Sequence, residues 1–259
     1  MTYLDSIVAF HRARAASDTR DLDGLYAQVG VGVPRGFTQA LASQSTLAVI
    51  AEIKRRSPSK GDINIDLDPA LLAASYVQGG ASCLSVLTDE PHFAGSAGDL
   101  VTARASVGVP VLRKDFTVSE RDVVDARIMG ADAVLLIVAA LADDELARLH
   151  AASEALGMST LVEVHDEAEL QRALSIGVTL VGVNQRDLHS FAVDTTRAVR
   201  VAGLIPADVV AVAESGITGA DDARRCADAG YRAVLVGEHL VRAVHPEKAV
   251  SELRVPLPS

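Results

Sequence analysis

The chain has 259 residues, 49% of them hydrophobic and only 3% aromatic, with 24 basic against 34 acidic side chains and a formal net charge of −10. So much apolar surface excludes a disordered or low-complexity chain, and the acidic balance argues against nucleic acid or an anionic membrane surface as a partner. The longest apolar run, Ala133 to Ala142 between Asp132 and Asp143, falls short of the ~18 residues needed to span a bilayer.

Nothing near the start resembles a secretory signal, and two cysteines, Cys83 and Cys226, read as core thiols in a reducing cytoplasm. Residues 1–46 read as an amphipathic helix with Leu4, Ile7 and Val8 on one stripe, then a short helix around Phe37–Leu41, together expected to form a lid. From Leu47 onward come eight short runs rich in β-branched residues: Leu47–Ile53, Cys83–Leu87, Val109–Arg113, Ala133–Val138, Thr160–Val164, Leu180–Val183, Val209–Ala213 and Ala233–Val236. Segments of helical period separate them, among them Pro69–Gln78, Glu120–Met129, Asp143–Leu156, Glu167–Ile176 and Gly219–Ala229. Regular alternation of strand and helix implies parallel strands joined by right-handed crossovers. Eight such units predict a closed (β/α)₈ TIM barrel, one domain over 1–259 with residues 1–46 as an N-terminal helical extension.

In such a barrel the chemistry gathers at the carboxyl ends of the strands. Strand residues two apart share a face, so Glu52 and Lys54 pair on the first strand and Lys114 follows the inward parity of Leu112 on the third. Glu163 ends the fifth strand, Asn184 and Arg186 share a parity at the sixth, and Glu214-Ser215-Gly216 and Gly237-Glu238 close the seventh and eighth. One such residue would be unremarkable as a structural ion pair; polar endings on at least five strands point to a site. Glycines 216 and 237 would let main-chain N–H groups approach a phosphate, the Glu238 side chain being kept away. The seven histidines show no metal-ligand spacing, so no metal is expected, and His165 reads as a supporting donor. Only four of the basic residues are lysines (54, 60, 114 and 248), and lysine can move a proton where arginine cannot.

The run Ala51-Glu52-Ile53-Lys54-Arg55-Arg56-Ser57-Pro58-Ser59-Lys60-Gly61 closely resembles the signature of indole-3-glycerol phosphate synthases. The likeness continues through Ser85 to Asp89 with Phe93, Leu112 to Phe116, Leu161 to His165, Gly182 to Leu188, Ala213 to Ile217 and Val234 to Glu238. It implies a cofactor-free lyase of the cytoplasm acting on a phosphorylated small molecule, with no nucleic acid or membrane partner; a monomer is one reading of the oligomeric state. It further implies Lys114 as general acid, Glu163 as the acid/base group for loss of water, and Lys54, tuned by Glu52, as a contact to substrate charge that joins in proton transfer. Asn184, Glu214 and Ser215 would complete the polar ring. Ser57 and Arg186 would contact polar and anionic groups, and Gly216, Gly237 and Glu238 the phosphate. Phe93, Leu112, Phe116, Leu135 and Leu188 would wall the aromatic ring. The chemistry suggests that Lys114 should be flanked by cations and have a lowered pKa. Gln185 and Arg121-Asp122 depart from the family pattern and put local loop packing in question. A sugar-phosphate isomerase or a non-catalytic barrel would have no need of Lys54, Lys114 and Glu163 together.

Overall fold

The computed structural model describes residues 3–30, 32–186 and 192–258. Eight parallel strands pair in chain order and close: β1 (Ala48–Ile53), β2 (Cys83–Leu87), β3 (Val111–Lys114), β4 (Ala133–Ile137), β5 (Ser159–Val164), β6 (Leu180–Asn184), β7 (Val210–Glu214) and β8 (Ala233–Val236), which pairs back onto β1. Nearly every strand residue is buried, because one face fills the barrel while the other packs under helices. That is why the strands read as continuous apolar runs rather than as alternating ones.

Inside, Ile50, Leu112, Leu135, Leu161, Leu180, Val212 and Leu235 belong to one packed cluster. Each such fully buried aliphatic side chain contributes roughly 1.5–3 kcal/mol. The register then sets Glu52 opposite Ser85 and Asn184 opposite Glu214 at the carboxyl ends, and leaves Glu163 beside Gly182, which has no side chain.

The surrounding helices begin where the sequence supplies caps. Asp68 accepts from the first N–H groups of the helix Pro69–Gln78, and Ser119 with Asp122 forms a reciprocal capping box on the helix Glu120–Ile128. Gly130 and Gly230 end helices with φ of 89° and 101°, a conformation that suits glycine.

The expected lid divides in two. Helix α1 (Tyr3–Ser17) lies over the carboxyl-terminal mouth, held by His11 Nε2 to Asp89 (2.8 Å), Arg14 to Asp122 (2.5 Å) and two Arg12–Glu145 bonds of 2.7 Å. After α2 (Leu22–Tyr26), helix α3 (Phe37–Ala42) instead plugs the opposite end. Its Phe37 and Leu41 are fully buried in the interior cluster beside the strand starts Ala48 and Cys83. Periodicity shows that a helix has an apolar stripe and is silent about which opening the stripe will cover. Asp122, one of the departures from the family pattern, is here a buried hub. It caps its helix and receives Arg14, tying α1 to the barrel.

Candidate active site

A cavity of about 990 Å³ opens at the carboxyl ends of the strands. Its wall includes fifteen of the residues expected there: Glu52, Lys54, Ser57, Phe93, Lys114, Phe116, Leu135, Glu163, Asn184, Arg186, Glu214, Ser215, Gly216, Gly237 and Glu238. Leu112 is not at the wall; it lies one layer lower, fully buried in the barrel interior. Leu188 falls outside the described residues.

Lys114 is the hub of the floor. Its Nζ lies 2.8 Å from Glu163 Oε2 and 2.8 Å from Glu214 Oε2. Burial by itself would lower the ammonium's pKa, but Glu163, Glu214 and Glu52 more than offset it and raise the pKa above the ordinary lysine value. The sequence led us to expect flanking cations and a lowered pKa; the structure shows the reverse. Arg113 follows the opposite parity and turns outward to Asp115 and the Asp122 carbonyl, while three strands distant in sequence deliver carboxylates to the lysine.

The two carboxylates that share Lys114 are not equivalent. Burial works against the charge of Glu163, but Lys114 and His165 hold it well below the usual carboxylate range. For Glu214, burial dominates and, with repulsion from Glu163 and Glu52, outweighs Lys114, so the group is pushed up to about 7. Paired groups whose environments drive their pKa values apart are what acid/base chemistry near neutral pH requires.

Asn184 orients Glu163. Its Oδ1 accepts from Ser215 Oγ at 2.8 Å and from the Arg186 N–H at 3.0 Å, which leaves Nδ2 to donate to Glu163 Oε1 at 3.1 Å. Ser215 sits at φ 67° in a tight turn, and Gln185 Nε2 grips its carbonyl at 2.7 Å. Gln185, the other departure, thus packs the turn that follows β7 rather than touching Lys114. On the first strand Lys54 Nζ meets Glu52 Oε1 at 2.5 Å. Ser57 Oγ is buried at the cavity with no hydrogen-bond partner among the described residues, leaving it for a bound group. The Glu238 side chain pairs with Arg242 at 3.3 Å, which turns its charge along its own helix.

Two glycines make room for these groups. A Cβ on Gly237 would collide with Glu52 Oε1 and crowd Lys54 Nζ, and one on Gly182 would collide with Glu214 Oε1 and crowd Leu161. Gly182→Ala is therefore expected to displace Glu214 from Lys114. The expected result is a kcat at least tenfold lower and a stability loss of about 1–3 kcal/mol, the usual cost of overpacking; steady-state kinetics and urea unfolding measure both.

The sequence did not reveal that α1 supplies Tyr3, Leu4 and Ile7 to the cavity wall. Leu4 and Ile7 looked like any core stripe. Nor did local spacing reveal that His11, Asp89 and His92 converge, their ligating atoms all within 4.8 Å of one another. His11 and His92 both meet Asp89 Oδ2, at 2.8 and 2.9 Å, which fastens α1 to the short helix Glu90–Phe93. Among the described residues no helix is long and apolar enough to cross a membrane.

Comparison with known proteins adds an independent line. A family model described as indole-3-glycerol phosphate synthase matches residues 4–253. The indole-3-glycerol phosphate synthase of Nocardioides sp. is 51% identical over 256 residues, covering 98% of each chain. Indole-3-glycerol phosphate synthase 2 of Streptomyces coelicolor is 52% identical over 219 residues, 85% of this chain and 84% of that one. Among solved structures, thiamine phosphate pyrophosphorylase from Pyrococcus furiosus matches with a TM-score of 0.61 at 17% identity, over 81% of this chain and 95% of that one. This last likeness shows the barrel fold alone.

Proposed function

The chain belongs to the indole-3-glycerol phosphate synthase family, and on that footing we propose a division of labour among the groups at its barrel mouth. The family reaction closes the ring of 1-(2-carboxyphenylamino)-1-deoxyribulose 5-phosphate to give indole-3-glycerol phosphate, with loss of carbon dioxide and water, in tryptophan biosynthesis. The observation that carries the assignment is Lys114 held at 2.8 Å by both Glu163 and Glu214 on the floor of the cavity.

In the first step the ring carbon bearing the carboxylate attacks the ketone carbon, and the carbonyl π pair moves onto oxygen. Lys114 gives that oxygen its proton and becomes a neutral amine. A raised pKa does not prevent this, because an alkoxide is a far stronger base than an amine; the flanking carboxylates keep the lysine charged until the oxygen needs the proton. Arginine would hold its proton too tightly for the same task. Departure of carbon dioxide leaves its bonding pair in the ring and restores aromaticity.

Water then leaves. One proton goes onto the departing hydroxyl and one comes off the methylene carbon beside nitrogen. Glu163, kept ionised, takes the second, and the Lys54 ammonium supplies the first, with Glu52 holding Lys54 and Asn184 orienting the hydroxyl. Glu214 and Ser215 complete the ring of polar contacts. Gly216, Gly237 and the main chain of Glu238 face the phosphate, while Ser57 and Arg186 meet polar and anionic groups. Phe93, Phe116 and Leu135 give the aromatic ring an apolar wall.

A single chain supplies all these groups, which fits a monomer with residues 1–46 as an extension of one barrel domain, working in the cytoplasm. Incubation of the purified protein with the carboxyphenylamino-deoxyribulose phosphate is expected to release one carbon dioxide per indole formed, followed by indole fluorescence. Isomerisation without carbon dioxide, or no product, would overturn the reading.

A further inference from the structure

We infer that His165 is a cationic positioning residue for Glu163: locked by Glu169, it holds the Glu163 carboxylate ionised and in place after Lys114 has given up its proton. The inference rests on Glu163 being the base proposed above.

His165 follows β5 directly and stands behind Glu163, outside the cavity wall. Its Nδ1 lies 3.0 Å from Glu169 Oε2, and the same oxygen accepts the His165 main-chain N–H at 2.8 Å. Glu169 is itself fixed in the first turn of the helix Glu167–Ser175, where the Asp166 side chain accepts its N–H at 2.8 Å. On the other side of the ring, Nε2 faces Glu163 Oε1 at 3.4 Å and has no hydrogen-bond partner among the described residues.

This arrangement dictates the protonation state. A carboxylate only accepts hydrogen bonds, so the nitrogen facing Glu169 must carry a proton. If Nε2 were bare, its lone pair would face the Glu163 carboxylate in a buried site. Protonating both nitrogens removes that conflict and places a cation between two anions. Burial opposes the charge, but Glu163 and Glu169 more than offset it, pushing the imidazole up to about 10. Those two are the charged groups that face the ring; Lys114 and Glu214, on β3 and β7, act on it through Glu163.

The consequence concerns timing. While Lys114 is an ammonium, Glu163 has a cation at each oxygen, Lys114 at Oε2 and His165 at Oε1, together with Asn184. Once the lysine is a neutral amine, His165 is, among the described residues, the full positive charge that still faces Glu163. Without it, a buried carboxylate beside Glu214 would take up a proton and enter the dehydration step already spent.

The test has two arms on the full chain. Side-chain ¹⁵N NMR of histidine is expected to show His165 as imidazolium throughout pH 6–9; a neutral ring in that range overturns the inference. Glu169→Gln removes one anion, so the His165 pKa falls and the cation is lost as pH rises through it. The expected signature is a loss of kcat for Glu169→Gln, relative to the wild type at the same pH, that grows across pH 7–9 to about tenfold with KM within twofold. A pH-independent loss, or wild-type kcat in a variant whose histidine has become neutral, overturns the inference. His165→Asn, where it folds, should lower kcat at all pH values. Glu163→Gln separates the two ideas. If that variant retained turnover, the assignment of the base would fail, whereas if it were inactive and Glu169→Gln showed no loss that grows with pH, only the role of His165 would fall.

Discussion

Lys114→Ala is expected to reduce kcat by roughly 10³- to 10⁴-fold, the upper part of the range for removing a positioned acid, with the secondary structure intact by circular dichroism. The substitution deletes the proton donor and also the ammonium bonded to two buried carboxylates. Removing one partner from a buried charge cluster costs about 3–5 kcal/mol when the remaining charges cannot adjust, but here Glu214 can protonate and Glu163 keeps His165. The pH dependence follows by sign. In the parent, Glu163 is held low, so it contributes stability above the ordinary carboxylate pKa and loses it as pH falls. In the variant Glu214, already raised, loses the one cation that lowers it and rises further, while His165 still faces Glu163; folding then binds a proton at Glu214, and stability is lost as pH rises. Urea unfolding should therefore show a larger deficit at pH 8 than at pH 5.5. Near-normal turnover would remove Lys114 from the acid role.

Glu163→Gln should lower kcat by roughly 10²- to 10³-fold while leaving KM within a few fold, since the amide keeps the volume and still accepts from Lys114. The partial reactions distinguish the role more sharply than the rate does. If Glu163 serves the loss of water, rapid quenching should find carbon dioxide released ahead of any indole absorbance, with a hydroxylated intermediate of the substrate mass less carbon dioxide. Release of the two in step would mean that Glu163 acts before decarboxylation. The same substitution removes a negative neighbour from Glu214, so its titration should fall from about 7 towards the ordinary carboxylate range, visible in the ¹³C signals of labelled glutamate.

Both predictions depend on how Glu52, Glu163 and Glu214 share one opening with Lys54 and Lys114. Parity was enough to point Glu52 and Lys54 the same way and to place Lys114 above Leu112, because side chains alternate along a strand whatever surrounds it. It could not show that Glu163 and Glu214 would both land on Lys114, or that Arg113 would turn away. Those contacts depend on the order of β3, β5 and β7 around a closed ring, a long-range property. The same holds for Gly182, whose missing side chain makes sense only once Glu214 is seen crossing the space, and for Gln185, which reads as a departure in sequence and serves as a clamp on Ser215 in the structure.

By itself the sequence determined the barrel, its eight strands, the helix caps and the ring of polar strand ends, and with them the family. These are consequences of local periods, capping side chains and residue order, all of which act over a few positions. The tertiary structure decided which opening each N-terminal helix covers, which carboxylates charge Lys114, and that His165 stands between Glu163 and Glu169. Each of these turns on electrostatics between residues far apart in the chain, in a site where burial strengthens every pair and penalises every unpaired charge. The sequence supplied the lysine; whether its pKa would be lowered or raised was decided by the neighbours that barrel closure brought to it.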